Sequence, residues 1–155
     1  MSRTVKVSDP ITIAKPHTIK KFELISSYVD EWARKILGYR KSRGIVYIDC
    51  MCNCGMYYNE QENLIEGTAI RVVKILNQIA INFPDKKIVL YFNDLDNSRV
   101  EKLEEFINSI DHDLDRHPIF PSDGFKREIK DELKAAYGAS FPIKQNVAVF
   151  KNGVQ

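Results

Sequence analysis

The chain predicts an α/β fold, a parallel sheet of about four strands with helices on both faces. Short β-branched and aromatic runs alternate with segments whose apolar residues recur at three and four. Polar loops follow the strand-like runs, and Pro or Gly closes the helix-like ones. A length of 155 residues fits one domain with one core. Strand and helix alternate four times, the order of successive βαβ units.

Residues 1–16, with Pro10 and Pro16, read as an extended arm, and 17–155 as a single domain. In the first helix, about 18–37, Leu24, Ile25, Tyr28, Val29, Trp32 and Ile36 recur at helical spacing, with Thr18 as N-cap and Gly38 as the stop. "IVYID" follows, a strand expected to be buried on both faces and ending at Asp49. Ile65, Ala69, Val72, Leu76, Ile79 and Phe83 form the stripe of a crossover helix ended by Pro84. "KIVLYF" at 87–92 is the second strand. It breaks into "NDLDNS", after which Val100, Leu103, Phe106 and Ile110 give a third helix. A brief strand about Ile119, a helix carrying Phe125, Ile129, Leu133 and Ala136, and a strand "NVAVF" at 146–150 complete the series.

With 23 Lys and Arg against 21 Asp and Glu, the formal net charge is +2, and the basic residues are scattered. Nucleic-acid binding is therefore not indicated. No run reaches the length of a membrane span or a signal peptide, so a cytoplasmic protein with no membrane partner is expected. The three cysteines stand at alternate positions in "YIDCMCNCGMYY" (47–58). Odd in number and alternating, they do not suit a disulfide framework, and reduced thiols are expected. Zinc or Cu(I) needs a fourth ligand from elsewhere, and no C-x-x-C pair exists. No metal site is expected, and small half-buried residues in a loop are the reading preferred over redox or iron-sulfur chemistry. His17 reads as part of a capping turn, and "DHDLDRH" (111–117) as a solvated loop.

In open α/β sheets ligands sit beyond the carboxyl ends of the strands. That rule draws attention to Asp49–Gly55, to Asp94 and Asp96, to Asp123, and to Lys151–Gly153. Asp94 stands where a carboxylate can accept from a ribose diol, or where it serves the start of the next helix. Asp96 is the better capping residue.

Several of these stretches resemble one family. "KPHTIKKFELISSYVDEW" is similar to the opening signature of the three-Cys-motif partner proteins, with His17, Thr18, Lys21, Leu24, Tyr28 and Trp32 at the matching places. "YIDCMCNCG" lies where that family has a strand followed by D-G-F-A-G-P-G, "EGTAI" where it has G-S-P-L, and "YFNDLDNSRVEKL" resembles its second strand and acidic loop. In that family the three-cysteine motif belongs to the partner protein and not to the chain bearing this signature. The resemblance implies a Rossmann-like, class I S-adenosylmethionine-dependent methyltransferase-like domain. Asp49, Cys50, Asn53 and Gly55 would form the cofactor loop, Asp94 hold the ribose, and Asp123 accept from the adenine amino group. Asp123 in "PSDG" is otherwise a turn residue.

Aligned on Asp49 and Gly55, Cys50 stands at the first glycine of the loop, Cys52 at an alanine, Asn53 at the middle glycine and Cys54 at the proline. Asn is the best substitute for Gly where φ is positive, and Cys a poor one. The family's Asp-Pro-aromatic-Gly after its fourth strand has no counterpart in "AVFKNGVQ", so the chain is expected to be truncated, the cofactor half of such an enzyme. A second reading is a non-catalytic interaction protein or subunit that kept the sheet and partners a metal-cluster protein of the three-Cys-motif kind, or its own copies. A nicotinamide-dependent dehydrogenase fits poorly, since G-x-G-x-x-G is missing.

Overall fold

A computed structural model describes residues 11–111 and 146–151. Its elements in chain order are β1 (Thr12–Ile13), α1 (Pro16–Gly38), β2 (Gly44–Asp49), β3 (Met56–Tyr58), β4 (Leu64–Glu66), α2 (Thr68–Ala80), β5 (Lys87–Asp94), α3 (Asn97–Asp111) and β6 (Asn146–Lys151). The expected strand about Ile119, the helix over Phe125 to Ala136, Asp123 and most of "DHDLDRH" lie outside the described residues.

The main sheet has the order β2-β5-β6. β2 and β5 run parallel, from Gly44 opposite Lys87 to Asp49 opposite Phe92, with α2 in the connection between them. Gly44 is required at the start of this pair, because a Cβ there would run into the backbone carbonyl of Lys87. The all-parallel expectation needs correction at β6, which runs antiparallel to β5 from Val89 opposite Lys151 to Asp94 opposite Asn146. Hydrophobic pattern identifies a strand but not the direction in which it enters a sheet, and antiparallel edge strands are common on otherwise parallel sheets.

Ile88, Leu90 and Phe92 on one face of β5, with Ile45 of β2, form a single core with Val29, Ala33 and Leu37 of α1, Val72, Leu76 and Ile79 of α2, and Val100, Leu103 and Ile107 of α3. All three described helices therefore cover the same face of the sheet, where both faces were expected to carry helices. β5 is buried on both faces, as a central strand should be. β2 is not: among the described strands it lies at the edge of the sheet, and Val46 on its other face is 51% exposed.

α2 follows its predicted stripe, with Ala69, Val72, Leu76 and Ile79 buried and Ile65 in the preceding strand. α1 starts earlier than its capping pattern suggests. Pro16 occupies the first turn, where its missing N–H is no loss, and the Lys15 carbonyl accepts from Thr18 and Ile19 at 2.9 and 3.1 Å. Thr18 is thus a first-turn residue, not the cap. The face α1 buries also differs from the expected one: Phe22, Ser26, Val29, Ala33 and Leu37 face inward, while Leu24 and Tyr28 are each 70% exposed. The apolar arc of α1 is wider than one contact, and the side bearing the small Ser26 and Ala33 is the one that closes on α2.

A second sheet, β1-β3-β4, was not foreseen. β3 and β4 form a hairpin, Met56 opposite Glu66, across a turn in which the Asn59 side chain accepts from the N–H groups of Gln61 and Asn63. β1, the end of the N-terminal arm, adds parallel to β3. Strands of two or three residues are too short to show a period of two. No described helix is long and apolar enough to cross a membrane.

Candidate functional site

β2 and β5 are parallel, so their carboxyl ends lie side by side, and the cysteine loop 50–55 rises from the first of them. The loop is tied to the end of β5 by three hydrogen bonds. Cys52 N–H donates to the Asn93 carbonyl (2.9 Å), the Asn93 side-chain amide to the Cys50 carbonyl (2.9 Å), and Asn53 N–H to Asp94 Oδ2 (2.9 Å).

Within the loop, Met51 N–H donates to Asp49 Oδ1 (3.0 Å) and Cys54 N–H to the Asn53 side-chain oxygen (2.7 Å). Four consecutive N–H groups, from Met51 to Cys54, are thereby engaged inside the protein. Two residues of the loop have positive φ, Asn53 at 57° and Gly55 at 84°. Asn53 takes the left-handed conformation that the sequence assigned to it, and no cysteine is asked to adopt it.

Gly55 is confined as well as twisted, since a Cβ would come within 2.6 Å of Leu103 Cδ1 and 2.7 Å of Ile70 Cγ1. Its carbonyl accepts from Gly67 N–H at 2.7 Å, which ties the loop to the start of α2.

Asp94 is 6% exposed. Its Oδ2 holds Asn53 N–H and its Oδ1 accepts from Asp96 N–H at 3.0 Å, with Arg99 Nη1 4.0 Å away. Asp96 is the true cap of α3: its Oδ1 takes the N–H (2.9 Å) and hydroxyl (2.7 Å) of Ser98, bonds that hold its carboxyl below the usual range. Asp49 is half-buried, and burial pushes its carboxyl pKa up, with the nearby Asp94 adding to the effect against the Met51 hydrogen bond.

Around this loop lie two clefts. The larger, of about 520 Å³, is lined by Cys50, Met51, Asn53, Tyr57, Asn93, Asp94, Leu95 and Arg99. The smaller, of about 280 Å³, lies between the loop and α1, with Phe22, Ile25, Tyr47 and Asp49 among its walls. Met51, 85% exposed, borders both, and Leu95, 74% exposed, flanks the larger one. In Tyr57, burial raises the phenol pKa while a hydrogen bond from the Asn53 side chain opposes the shift.

Five of the six sequence-predicted site residues can thus be placed. Cys50, Asn53 and Asp94 line the larger cleft, Asp49 lines the smaller, and Gly55 sets the loop beneath; Asp123 lies outside the described residues. Arg99, Asn93 and Tyr57 were not singled out in the sequence. Arg99 had a readable signal, a cation in the first turn of a helix that begins just after an acidic loop.

Two of the three thiols, those of Cys52 and Cys54, are small core residues, while Cys50 is half-buried at the clefts. Cys52 and Cys54 are 4% and 0% exposed, and Cys54 Sγ contacts the Met56 carbonyl at 3.1 Å. Burial and the neighbouring Asp49 push the thiol pKa of both Cys50 and Cys52 upward, away from the thiolate that nucleophilic or ligand chemistry requires. Among the described residues, no group of three or more His, Cys, Asp or Glu is arranged to hold a metal. Comparison with protein-family models, curated proteins and solved structures finds no match.

Proposed function

We propose that the larger cleft binds a nucleoside cofactor of the S-adenosylmethionine type, in a methyltransferase-like domain similar to the three-Cys-motif partner proteins. One observation carries this reading: a positive-φ loop and a buried carboxylate meet at the carboxyl ends of two parallel strands and border a cleft of about 520 Å³.

The loop N–H groups from Met51 to Cys54 are consumed internally, which disfavours a dinucleotide, whose pyrophosphate needs such donors. A ligand without phosphates does not need them. A carboxylate offers about four lone-pair sites, so Asp94, with two taken, retains capacity for a ribose diol. Met51 and Leu95 offer apolar surface for a base. Catalysis would consist of positioning a methyl donor for in-line transfer.

The second reading, a non-catalytic interaction protein, is favoured by the engagement of both Asp94 oxygens and by the exposed apolar side of α1. Isothermal titration of the reduced protein with S-adenosylhomocysteine separates the two. Binding in the micromolar range, weakened at least about tenfold by Leu95→Lys, is expected from the cofactor reading. Leu95 is exposed, so its replacement leaves the fold intact. No heat at millimolar ligand would remove the cofactor reading and leave the interaction protein.

A further inference from the structure

α1 is the outermost described helix. It packs on α2 and on the edge strand β2, and its opposite side carries Leu24 (70% exposed), Ile25 (45%), Tyr28 (70%), Ile36 (40%) and, just past its end, Tyr39 (61%). Half-buried Trp32 lies on the same side. Placed at 100° per residue, these six fall within one arc of about 120°, beside the buried arc and not opposite it. Scattered single exposures of large apolar residues are ordinary, but a continuous arc along a helix of 23 residues is a contact surface.

We infer that this face of α1 is the interface of a homodimer in which two copies of the helix pack antiparallel about a two-fold axis that passes on the exposed side of the helix, level with Ser26. Three observations select a second copy as the occupant. The first is area. The exposed apolar residues of the helix together with the exposed Lys21 and Glu31 offer on the order of 500 Å² per copy, so on the order of 1,000 Å² is buried when two copies share it, the threshold for a biological interface. The second is length: 23 residues span roughly 34 Å, so with the dyad level with Ser26 the side chains from Leu24 to Ile36 lie alongside the partner helix, Ile36 at its first residue, Pro16, and Tyr39 just beyond its end.

The third is self-complementarity. A dyad at Ser26 sets Leu24 of one copy against Tyr28 of the other, and Lys21 against Glu31, each twice. Neither Lys21 nor Glu31 has an ion-pair partner among the described residues, while Asp30 on the far side of the helix is paired with Arg34 at 2.8 Å. An isologous interface demands this reciprocity. The larger cleft shares no residue with this face, and the smaller one shares Ile25.

Sedimentation velocity of the reduced full chain between about 1 and 100 µM tests it. The expected mass is twice the 17.9 kDa of the chain. Tyr28→Lys should weaken dimerisation at least tenfold without altering far-UV circular dichroism, because the side chain it replaces is exposed. Lys21→Glu should weaken the dimer, and Lys21→Glu combined with Glu31→Lys should restore it, a rescue that loss of general stability does not give. A monomer at 100 µM overturns the inference, whatever else covers the face. So does a dimer indifferent to Tyr28→Lys, or one that the paired charge exchange does not restore.

Discussion

Gly55→Ala is the substitution that most directly tests the shape of the cysteine loop. Two costs arise independently at this position. At φ 84° an L-residue is in a region that costs about 1–2 kcal/mol. The added methyl would also stand 2.6 Å from Leu103 Cδ1 and 2.7 Å from Ile70 Cγ1. Both neighbours belong to the core, Ile70 at 1% exposure and Leu103 at 0%, so they cannot swing into solvent, and overpacking of this kind costs about 1–3 kcal/mol. The expected loss is therefore about 2–5 kcal/mol, with partial relaxation placing it nearer the lower figure. Urea unfolding followed by the fluorescence of Trp32, the single tryptophan, which packs against the core, measures it. Gly38→Ala is the internal control: nothing lies within 4 Å of its Cβ position and its φ is not positive, so that substitution should be neutral or stabilise by up to about 1 kcal/mol. If Gly55→Ala falls within 0.5 kcal/mol of the parent chain, the left-handed turn and the close packing against α2 and α3 are both wrong.

Asp94→Ala removes the acceptor for the part-buried N–H of Asn53 and for that of the exposed Asp96 and should cost about 1–3 kcal/mol in the same assay; a loss under 0.5 kcal/mol would show that the loop is not latched to β5. For Asp49 the sign follows from its raised pKa. The unfolded chain ionises this carboxyl more readily, so the folded state loses stability as pH rises above the usual carboxylate range near 4 and up through the folded pKa. Asp49→Asn keeps an oxygen for Met51 N–H and should raise the urea midpoint at pH 7 but not below about pH 3.5. Equal shifts at both pH values would refute that account. Titration with a thiol-specific disulfide reagent at pH 7.5 should modify Cys50 alone in the folded protein, slowly, and all three cysteines after unfolding. Fast reaction of Cys52 or Cys54 in the folded state would contradict their burial.

The elements legible in the sequence are those long enough to repeat a pattern. The stripe of α2 and the continuous apolar run of β5 were read correctly because a single environment, the core, acts on every third or fourth residue or on the whole strand. α1 shows the limit of the same logic. Its apolar residues outnumber the places inside, and periodicity alone cannot tell which part of a wide arc meets α2; the small Ser26 and Ala33 decide it. The hairpin of β3 and β4 is held by backbone pairing and by Asn59, neither of which leaves a periodic trace. At the site, Asn53 announced its positive φ, because Asn is chosen where Gly would otherwise stand. The bond from its N–H to Asp94 spans 41 positions and has no local signature.

That long-range bond changes how Asp94 should be understood. A carboxylate after a strand reads from sequence either as a ligand group or as a cap, and the geometry makes it a latch: it fixes Asn53 on one side and Asp96 on the other, while Asp96 itself caps α3. Being held in this way is compatible with binding. The remaining lone pairs of a carboxylate clamped by two backbone donors have a fixed direction, and a ligand that meets them loses less conformational freedom than one meeting a mobile side chain. The same clamp limits what the cleft can accept. With the N–H groups of Met51 through Cys54 all spent on the protein's own oxygens, an anionic ligand gains no donors from that run of the loop backbone and must depend on Arg99, which already lies 4.0 Å from Asp94. A neutral or cationic ligand that carries hydroxyl donors, with an apolar ring to lie between Met51 and Leu95, matches the groups that remain.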